Sequence, residues 1–476
     1  MRHDSSTPRK PPESSVDRVV LLQKILWFSA FAQDVAVQKY KARSRVAKCV
    51  DGRFVFGVVM SICGLDFGTS NTTLGTVIDD IPVLAALEGD HVTIPSAIFY
   101  RADAGVHIGR RAIEAYVEGD AGRLMRSLKS VLGTSLIDET TRVGRERVRF
   151  RDVIAYYIGA VKRRAEQVVG YPLLQVVHGR PVHFVEDDPA GDARAEAVLR
   201  DIAEGVGFRE VSFQFEPIAA ALDYERQINS EEIALIADIG GGTSDFSIVR
   251  LSRERHRHTE RKDDILANDG VRVGGTDFDR YLSLGVVMPL LGYRSAMKRA
   301  ELDVPSGYFH DLATWSSINR MYDPKVIGQV RQVRYEAQQP ELLDRLVRVL
   351  DEQRGHTIAM DVEGAKIELS EKVKSSIALG WIEKGLEINV KRKDLVNHTQ
   401  RLADRIEARI DICLKQAGLA GADIDAVFLT GGSVQLAHVR KAITSKLPAA
   451  RAIDGDTFGA VGKGLTIEAA RRYGTC

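Results

Sequence analysis

The stretch Ile233–Val249, IALIADIGGGTSDFSIV, leaves its backbone few shapes to adopt. Ile233–Ala237 is an apolar run of strand character that ends on an acid, Asp238. Gly240, Gly241 and Gly242 then permit a tight reversal that residues carrying a Cβ would resist. Thr243 and Asp245 come next, and Phe246–Val249 leaves as a second strand. Such a hairpin turns several backbone N–H groups toward one concavity, which suits phosphate oxygens. Asp238 has the wrong charge for a bare anion, so a divalent cation between acid and phosphate is implied.

A lone triple glycine would as readily be a structural hairpin. Far upstream, however, Ile62–Asn71, ICGLDFGTSN, repeats the pattern of strand, Asp66, Gly68 and Thr69. Two such hairpins in separate halves of the chain imply a duplicated domain whose halves close on one ligand.

Composition narrows the setting. A net charge of +1 with 44% apolar residues describes a globular chain with no warrant for a nucleic-acid or membrane partner. The four cysteines, Cys49, Cys63, Cys413 and Cys476, form neither a CxxC pair nor a zinc spacing, so a reducing, cytoplasmic setting is expected. Residues 1–59 differ in character from the remainder of the chain: they are basic, and Ser5, Ser6, Pro8, Pro11, Pro12, Ser14 and Ser15 crowd the start. Val19–Ala32 is apolar but interrupted by Gln23 and Lys24, and too short to span a bilayer. Met60 stands directly before the first hairpin. The expectation is that translation begins there and that 1–59 is a mis-assigned start or a loosely ordered arm.

Periodicity predicts an amphipathic helix over Arg123–Gly133 with Leu124, Leu128, Val131 and Leu132 on one face. From spacing alone, Lys129 on that helix points to water. Helices are predicted over Arg151–Val169, Asp192–Glu204, Ile218–Glu225, Glu341–Gln353, Val362–Lys374, Asp394–Gln416, Leu436–Leu447 and Phe458–Arg472. Strands are predicted at Leu173–Val177, broken by His178–Pro181, and at Val211–Phe215. Alternating strands and helices through 170–250 indicate an α/β layered architecture. Arg253–Asp264 reads as a charged, solvated loop, and 286–360 as a helical elaboration without evident chemistry. Gly462-Lys463 imitates a P-loop, but Thr457 and Gly464 stand where glycine and a hydroxyl are needed.

Four motifs occur in order: Gly64–Asn71, GLDFGTSN; Phe215–Leu222, FEPIAAAL; Asp238–Asp245, DIGGGTSD; and Leu429–Ser433, LTGGS. Together they resemble the actin-like ATPase superfamily, most closely the nucleotide-binding domain of DnaK-type heat-shock chaperones. The resemblance runs from about Ser61 to Arg472. GRPVHF (179–184), Met288–Gly292 and Gly455–Gly464 are most similar to the YegD-type chaperones, which lack the substrate-binding half of DnaK.

The resemblance implies an α/β actin-like ATPase (ribonuclease H-like) fold, two duplicated lobes closing over a nucleotide cleft. It places lobe I at 60–232, lobe II at 233–430 with an insertion around 286–360, and the end of lobe II with a closing helix at 431–476. It implies ATP or ADP as ligand with Mg²⁺, and K⁺ as a candidate further ion. Asp66 and Asp238 would hold the Mg²⁺ through water, and Lys129 would neutralise the γ-phosphate. Glu216 and Asp245 would orient the attacking water. Gly68, Thr69, Ser70, Asn71, Gly240, Gly241, Gly242 and Thr243 would cradle the phosphates. Glu363, Lys366, Ser370, Gly431, Gly432, Ser433 and Asp456 would line the adenosine pocket. Pro181 matches the family's switch proline. Gln435 stands where the family commonly places an arginine against adenine, so weaker or less adenine-selective binding is expected.

The function implied is a slow, Mg²⁺-dependent ATP hydrolase of chaperone type that acts on a client protein or co-chaperone through lobe closure. Two alternatives share the phosphate loops. One is a nucleotide-switched scaffold or filament, which ATP-dependent polymerisation would reveal. The other is a sugar kinase, which a rise in ATP turnover with a sugar would reveal.

Overall fold

The computed structural model describes residues 45–50, 53–58 and 61–474, apart from 104, 144–145, 186–187, 300 and 455–458. Arg45–Val50 and Arg53–Val58 form an antiparallel hairpin within a unit of their own, Met1–Met60. The expectations about the other residues of 1–59 lie outside the described residues.

From Ser61 onward the chain forms one unit. β1 (Ile62–Phe67), β2 (Asn71–Ile78), β3 (Ile81–Leu84) and β4 (Thr93–Pro95) open the first sheet. A small side sheet comes next, built from β5 (Ala97–Arg101), β6 (Val106–Ile108), and, after helix α1 (Arg110–Val117), β7 (Gly122–Arg126). Helix α2 (Phe150–Val169), β8 (Gln175–Arg180), α3 (Pro189–Gly205), β9 (Glu210–Phe215) and α4 (Glu216–Glu225) complete this half. The main sheet runs β9-β8-β1-β2-β3, with β4 also paired to β2.

The second half repeats the plan. β10 (Glu232–Ile239), β11 (Ser244–Leu251) and β12 (Ile265–Val271) form a meander, followed by α5 (Gly275–Val286), α6 (Gly307–Leu312), α7 (Pro324–Glu336), α8 (Pro340–Asp351), α9 (Gly355–Glu371) and α10 (Arg392–Ala417). β13 (Ala426–Thr430), α11 (Ala437–Thr444), β14 (Arg451–Asp454) and α12 (Ala460–Tyr473) end it. The second sheet runs β12-β11-β10-β13-β14. In both sheets the central strand pairs antiparallel with the next strand in sequence and parallel with a later one. The duplication expected from the two hairpins is therefore present as two sheets of the same pairing pattern.

Strand alternation explains where the acids end up. Along β1, Cys63, Leu65 and Phe67 face the α2 core, so Gly64 and Asp66 look the other way, toward α12. Along β10, Leu235, Ala237 and Ile239 enter the second lobe's core, while Ala234 and Ile236 pack with Ile218 and Leu222 of α4. Asp238 shares that second face. Helices α4 and α12 pack against each other between the two sheets. Both acids thus sit on the inner faces of their sheets.

Several expectations are corrected. Arg123–Gly133 is not a helix: β7 pairs with β5, Ser127 adopts a left-handed φ of 57°, and a short 3-10 turn covers Leu128–Val131. Met125 is buried by this pairing, so the apolar spacing served a strand and a turn. The strand expected to break at His178–Pro181 runs through Arg180. Residues 253–264 are not merely solvated, since Arg261 is fully buried against Glu225 and Asp264. The closing helix α12 packs on α4 and on β1, β2 and β8 of the first sheet. The contact between α12 and its neighbours needs glycine on both sides. A Cβ on Gly464 would collide with the Ala219 carbonyl, and one on Gly64 with the Thr466 backbone. No helix among the described residues is long and apolar enough to cross a membrane.

Candidate functional site

Asp66 and Asp238 occupy the same place in the two sheets, next to last on β1 and on β10. Their hairpin tips meet: a Cβ built on Gly241 would strike Ser70 Oγ. Each tip is held from behind. The Ser96 backbone N–H donates to Ser70 O at 2.8 Å, and its hydroxyl donates to Gly68 O at 2.6 Å. The Gly275 N–H donates to Gly240 O at 2.9 Å, and the Thr276 N–H and hydroxyl both donate to Gly241 O at 2.8 Å. Ser96 and Thr276 were not singled out in the sequence. The second had a signal, the glycine pair Gly274-Gly275 before an acidic helix start; the first had none beyond an extended run.

Lys129 does not point to water. Its Nζ lies 2.5 Å from Glu216 Oε1, and both side chains are largely buried. Glu216 is the first residue of α4, where Pro217 fits the opening turn. Three more carboxylates share this space. Burial, then Glu216 and Asp238, push the Asp66 carboxyl up to about 8, against the opposing pull of Lys129. Burial and Asp238 raise Asp245 to about 7, although the Thr243 hydroxyl donates to it at 2.9 Å. Burial and Glu216 raise Asp238 as well. Burial works against the charged form of Lys129, but Glu216, Asp66 and Asp238 outweigh it and hold its pKa above the usual lysine range. Four carboxyl groups crowd one ammonium in a desolvated place; the raised Asp66, Asp238 and Asp245 mark that crowding, and a bound cation would relieve it.

Among the described residues no group of three or more His, Cys, Asp or Glu side chains could hold a metal directly. Two inward carboxylates fit instead an ion that keeps its own waters and takes its remaining ligands from phosphate, which is how Mg²⁺ commonly binds. A cavity between the lobes is lined by Pro181 and Glu216 from one side and Asp238, Asp245 and Thr430 from the other.

Of the residues expected to line an adenosine pocket, Lys366 and Ser433 meet beside Gly275. Lys366 Nζ lies 2.8 Å from Asp279 Oδ1 and donates to Gly275 O at 3.3 Å. A Cβ on Gly275 would stand 3.1 Å from Ser433 Oγ and 3.5 Å from Lys366 Nζ, so these three meet. Asp279, which sequence reasoning missed, is raised to about 6 by burial, opposed by Lys366. Glu363 lies one turn before Lys366 on α9, and Gly432 opens the turn after β13. The Ser370 hydroxyl turns back to its own helix, donating to Ile367 O at 2.6 Å. Asp456 lies outside the described residues. Gly431 abuts Asp238: its φ is 82° and ψ 152°, and an added Cβ would stand 2.9 Å from Asp238 Oδ1. Gly431→Ala is therefore expected to cost about 1–3 kcal/mol of stability in backbone strain alone. A melting curve checks it.

Comparison with known proteins agrees with this geometry. The family model described as Hsp70 protein matches residues 62–287 and 335–474. The chaperone protein HscA homolog of Aromatoleum aromaticum is 26% identical over 398 residues, covering 80% of this chain and 53% of that protein. The HscA homolog of Neisseria meningitidis serogroup B is 24% identical over 401 residues, covering 80% and 54%. The chaperone protein DnaK of Mesomycoplasma hyopneumoniae is 24% identical over 416 residues, covering 85% and 57%. The chain spans about half the length of the curated relatives it matches. With the matched family model covering most of the chain and two like-patterned sheets meeting at acid-bearing glycine loops, this protein belongs to the Hsp70 family.

Proposed function

We propose that this chain binds ATP with Mg²⁺ between its lobes, hydrolyses it slowly, and passes the resulting opening and closing to a protein client or co-chaperone. The observation that carries this reading is the buried Lys129–Glu216 pair, set among Asp66, Asp238 and Asp245 where the two glycine loops touch.

In this reading Asp66 and Asp238 would hold a hydrated Mg²⁺, which would offset the charge of the phosphates and of the crowded carboxyl groups. The glycine loops with Ser70, Asn71 and Thr243 present N–H and hydroxyl donors to the phosphates. Lys129 places an ammonium against charge that develops on the transferred phosphoryl group. Glu216 and Asp245 accept hydrogen bonds from water and set its line of approach. Phosphoryl transfer asks of a protein mainly this positioning and charge neutralisation. Glu363, Lys366 and Ser433 would face the nucleoside, and Ser370 would join them by turning its hydroxyl from Ile367 O.

Asp238→Asn keeps the side-chain shape and removes a charge. It is expected to abolish Mg²⁺-dependent phosphate release from ATP while the protein still folds. Unchanged turnover in this variant would refute the site assignment. With Gln435 in place of a cationic partner for adenine, competition by GTP against ATP is expected to be appreciable, and strict ATP preference would contradict that point.

A further inference from the structure

Residues 288–334 fall in the gap between the two stretches that the family model matches. They are nevertheless built into the second lobe's core: Phe309, Leu312, Ile318 and Met321 are buried with Ile358 and Val362 of α9. The Tyr322 hydroxyl accepts the Gly355 N–H at 2.9 Å, tying the segment to the start of α9. This pedestal carries Trp315 and Asn319 toward the first lobe, where His356 at the start of α9 joins them.

The first lobe answers with two side chains. Tyr116, on α1, donates its hydroxyl to Asn319 Oδ1 at 2.7 Å, and the same oxygen lies 2.8 Å from His356 Nδ1. Its ring stands edge-on to His356 with centroids 4.5 Å apart at 89°. His356 in turn meets Trp315 edge-on at 4.7 Å. Arg126, the last residue of β7, sets its guanidinium 4.6 Å from the centre of the Trp315 ring. Three rings and a cation are thus interleaved across the gap between lobes. Arg126 also feels the Glu363 and Asp279 carboxylates, and Asp279 is the partner of Lys366, so the contact borders the nucleoside side of the site.

We infer that Tyr116 and Arg126 of the first lobe and Trp315, Asn319 and His356 of the second form a clasp that must part before the lobes can open, and that it sets the rate at which nucleotide leaves. Residues 288–334 supply Trp315 and Asn319 of the clasp's second half, and α9 supplies His356. The retention of nucleotide rests on the reading given under Proposed function; the coupling of the lobes does not. Opening separates the edge-on ring pair and the cation–π pair together. Both are cooperative with burial, because His356 is almost wholly enclosed. None of these side chains reaches the reacting phosphate in the proposed mechanism, so the clasp acts on release and leaves the chemical step alone.

The test uses the full chain and two variants, Trp315→Ala, and Tyr116→Phe, which removes one oxygen and keeps the ring. A fluorescent ADP analogue with Mg²⁺ is bound and chased with unlabelled ADP. Trp315→Ala is expected to speed release about tenfold and Tyr116→Phe by about two- to fivefold, with single-turnover hydrolysis of ATP unchanged. In parallel, amide hydrogen exchange is followed without nucleotide. Trp315→Ala should raise exchange across α1 and β7 of the first lobe, although the substitution lies in the second. Unchanged release in both variants overturns the control of nucleotide. Unchanged exchange across α1 and β7 overturns the clasp itself. If the unaltered chain binds no ADP analogue, the proposed function falls, and the exchange measurement still decides whether the lobes are coupled through Trp315.

Discussion

Lys129→Ala is expected to lower ATP turnover by at least about a hundredfold, with nucleotide binding weakened far less. The reason lies in what the ammonium faces. Lys129 is buried against Glu216, and Asp66 and Asp238 add to the field that keeps it charged. A cation held in place by its surroundings needs no reorganisation when negative charge moves toward it, and in a desolvated site its effect is larger than in water. Removing it also leaves four carboxylates without their internal counter-charge. The variant should therefore depend on Mg²⁺ for thermal stability more strongly than the unaltered chain does. Single-turnover hydrolysis and melting with and without Mg²⁺ measure the two effects. Hydrolysis within a few-fold of the unaltered rate would remove Lys129 from the chemistry.

The second large effect is structural. Arg261→Ala is expected to destabilise the protein by about 3–5 kcal/mol, since it strips the partner from buried carboxylates. Arg261 is fully enclosed; it donates to Glu225 at 2.8 and 2.9 Å and pairs with Asp264 as well. Glu225 closes α4, the helix packed against α12 between the sheets, so the loop 252–264 is pinned to the joint of the molecule. Burial alone would raise the Glu225 carboxyl, but His256 and Arg261 outweigh it and hold it below the ordinary glutamate range. A depressed folded-state pKa gives stability that is complete above the unfolded value and is lost as pH falls through the folded one. The stability this cluster supplies should accordingly start to fall as pH drops through the usual glutamate range and be lost by the depressed folded value, and Arg261→Ala should shift acid unfolding to higher pH. Urea titrations at neutral and acidic pH test both statements, and a loss below about 1 kcal/mol would show the cluster to be dispensable.

What the sequence made legible was local and stereochemical. Both acid-bearing hairpins could be read because glycine reversals, apolar strands and a neighbouring acid constrain one another over a few residues. The second sheet's meander and α10 arise from the same short-range patterns. The errors came where distance along the chain carried the information. Lys129 reads as a surface lysine until Glu216 closes over it, and Arg123–Gly133 reads as a helix until β5 claims its backbone. Arg261 sat in a charge-rich run whose buried partner, Glu225, lies on α4. Ser96 and Asp279 gave no sign of supporting a loop or a lysine. The Tyr116–His356 contact joins α1 of one lobe to α9 of the other, and no periodicity encodes such a meeting.

The central claim is that one magnesium nucleotide lies between the two glycine loops, shared by Asp66 and Asp238. A crystal structure of the full chain with Mg²⁺ and a non-hydrolysable ATP analogue tests it most directly. The expected result is one nucleotide per chain, its phosphates on Ser70–Asn71 and Gly240–Thr243, its metal waters on both aspartates, and Lys129 beside the terminal phosphate. Nucleotide bound elsewhere, or phosphates resting on one loop with the other aspartate turned away, would contradict it.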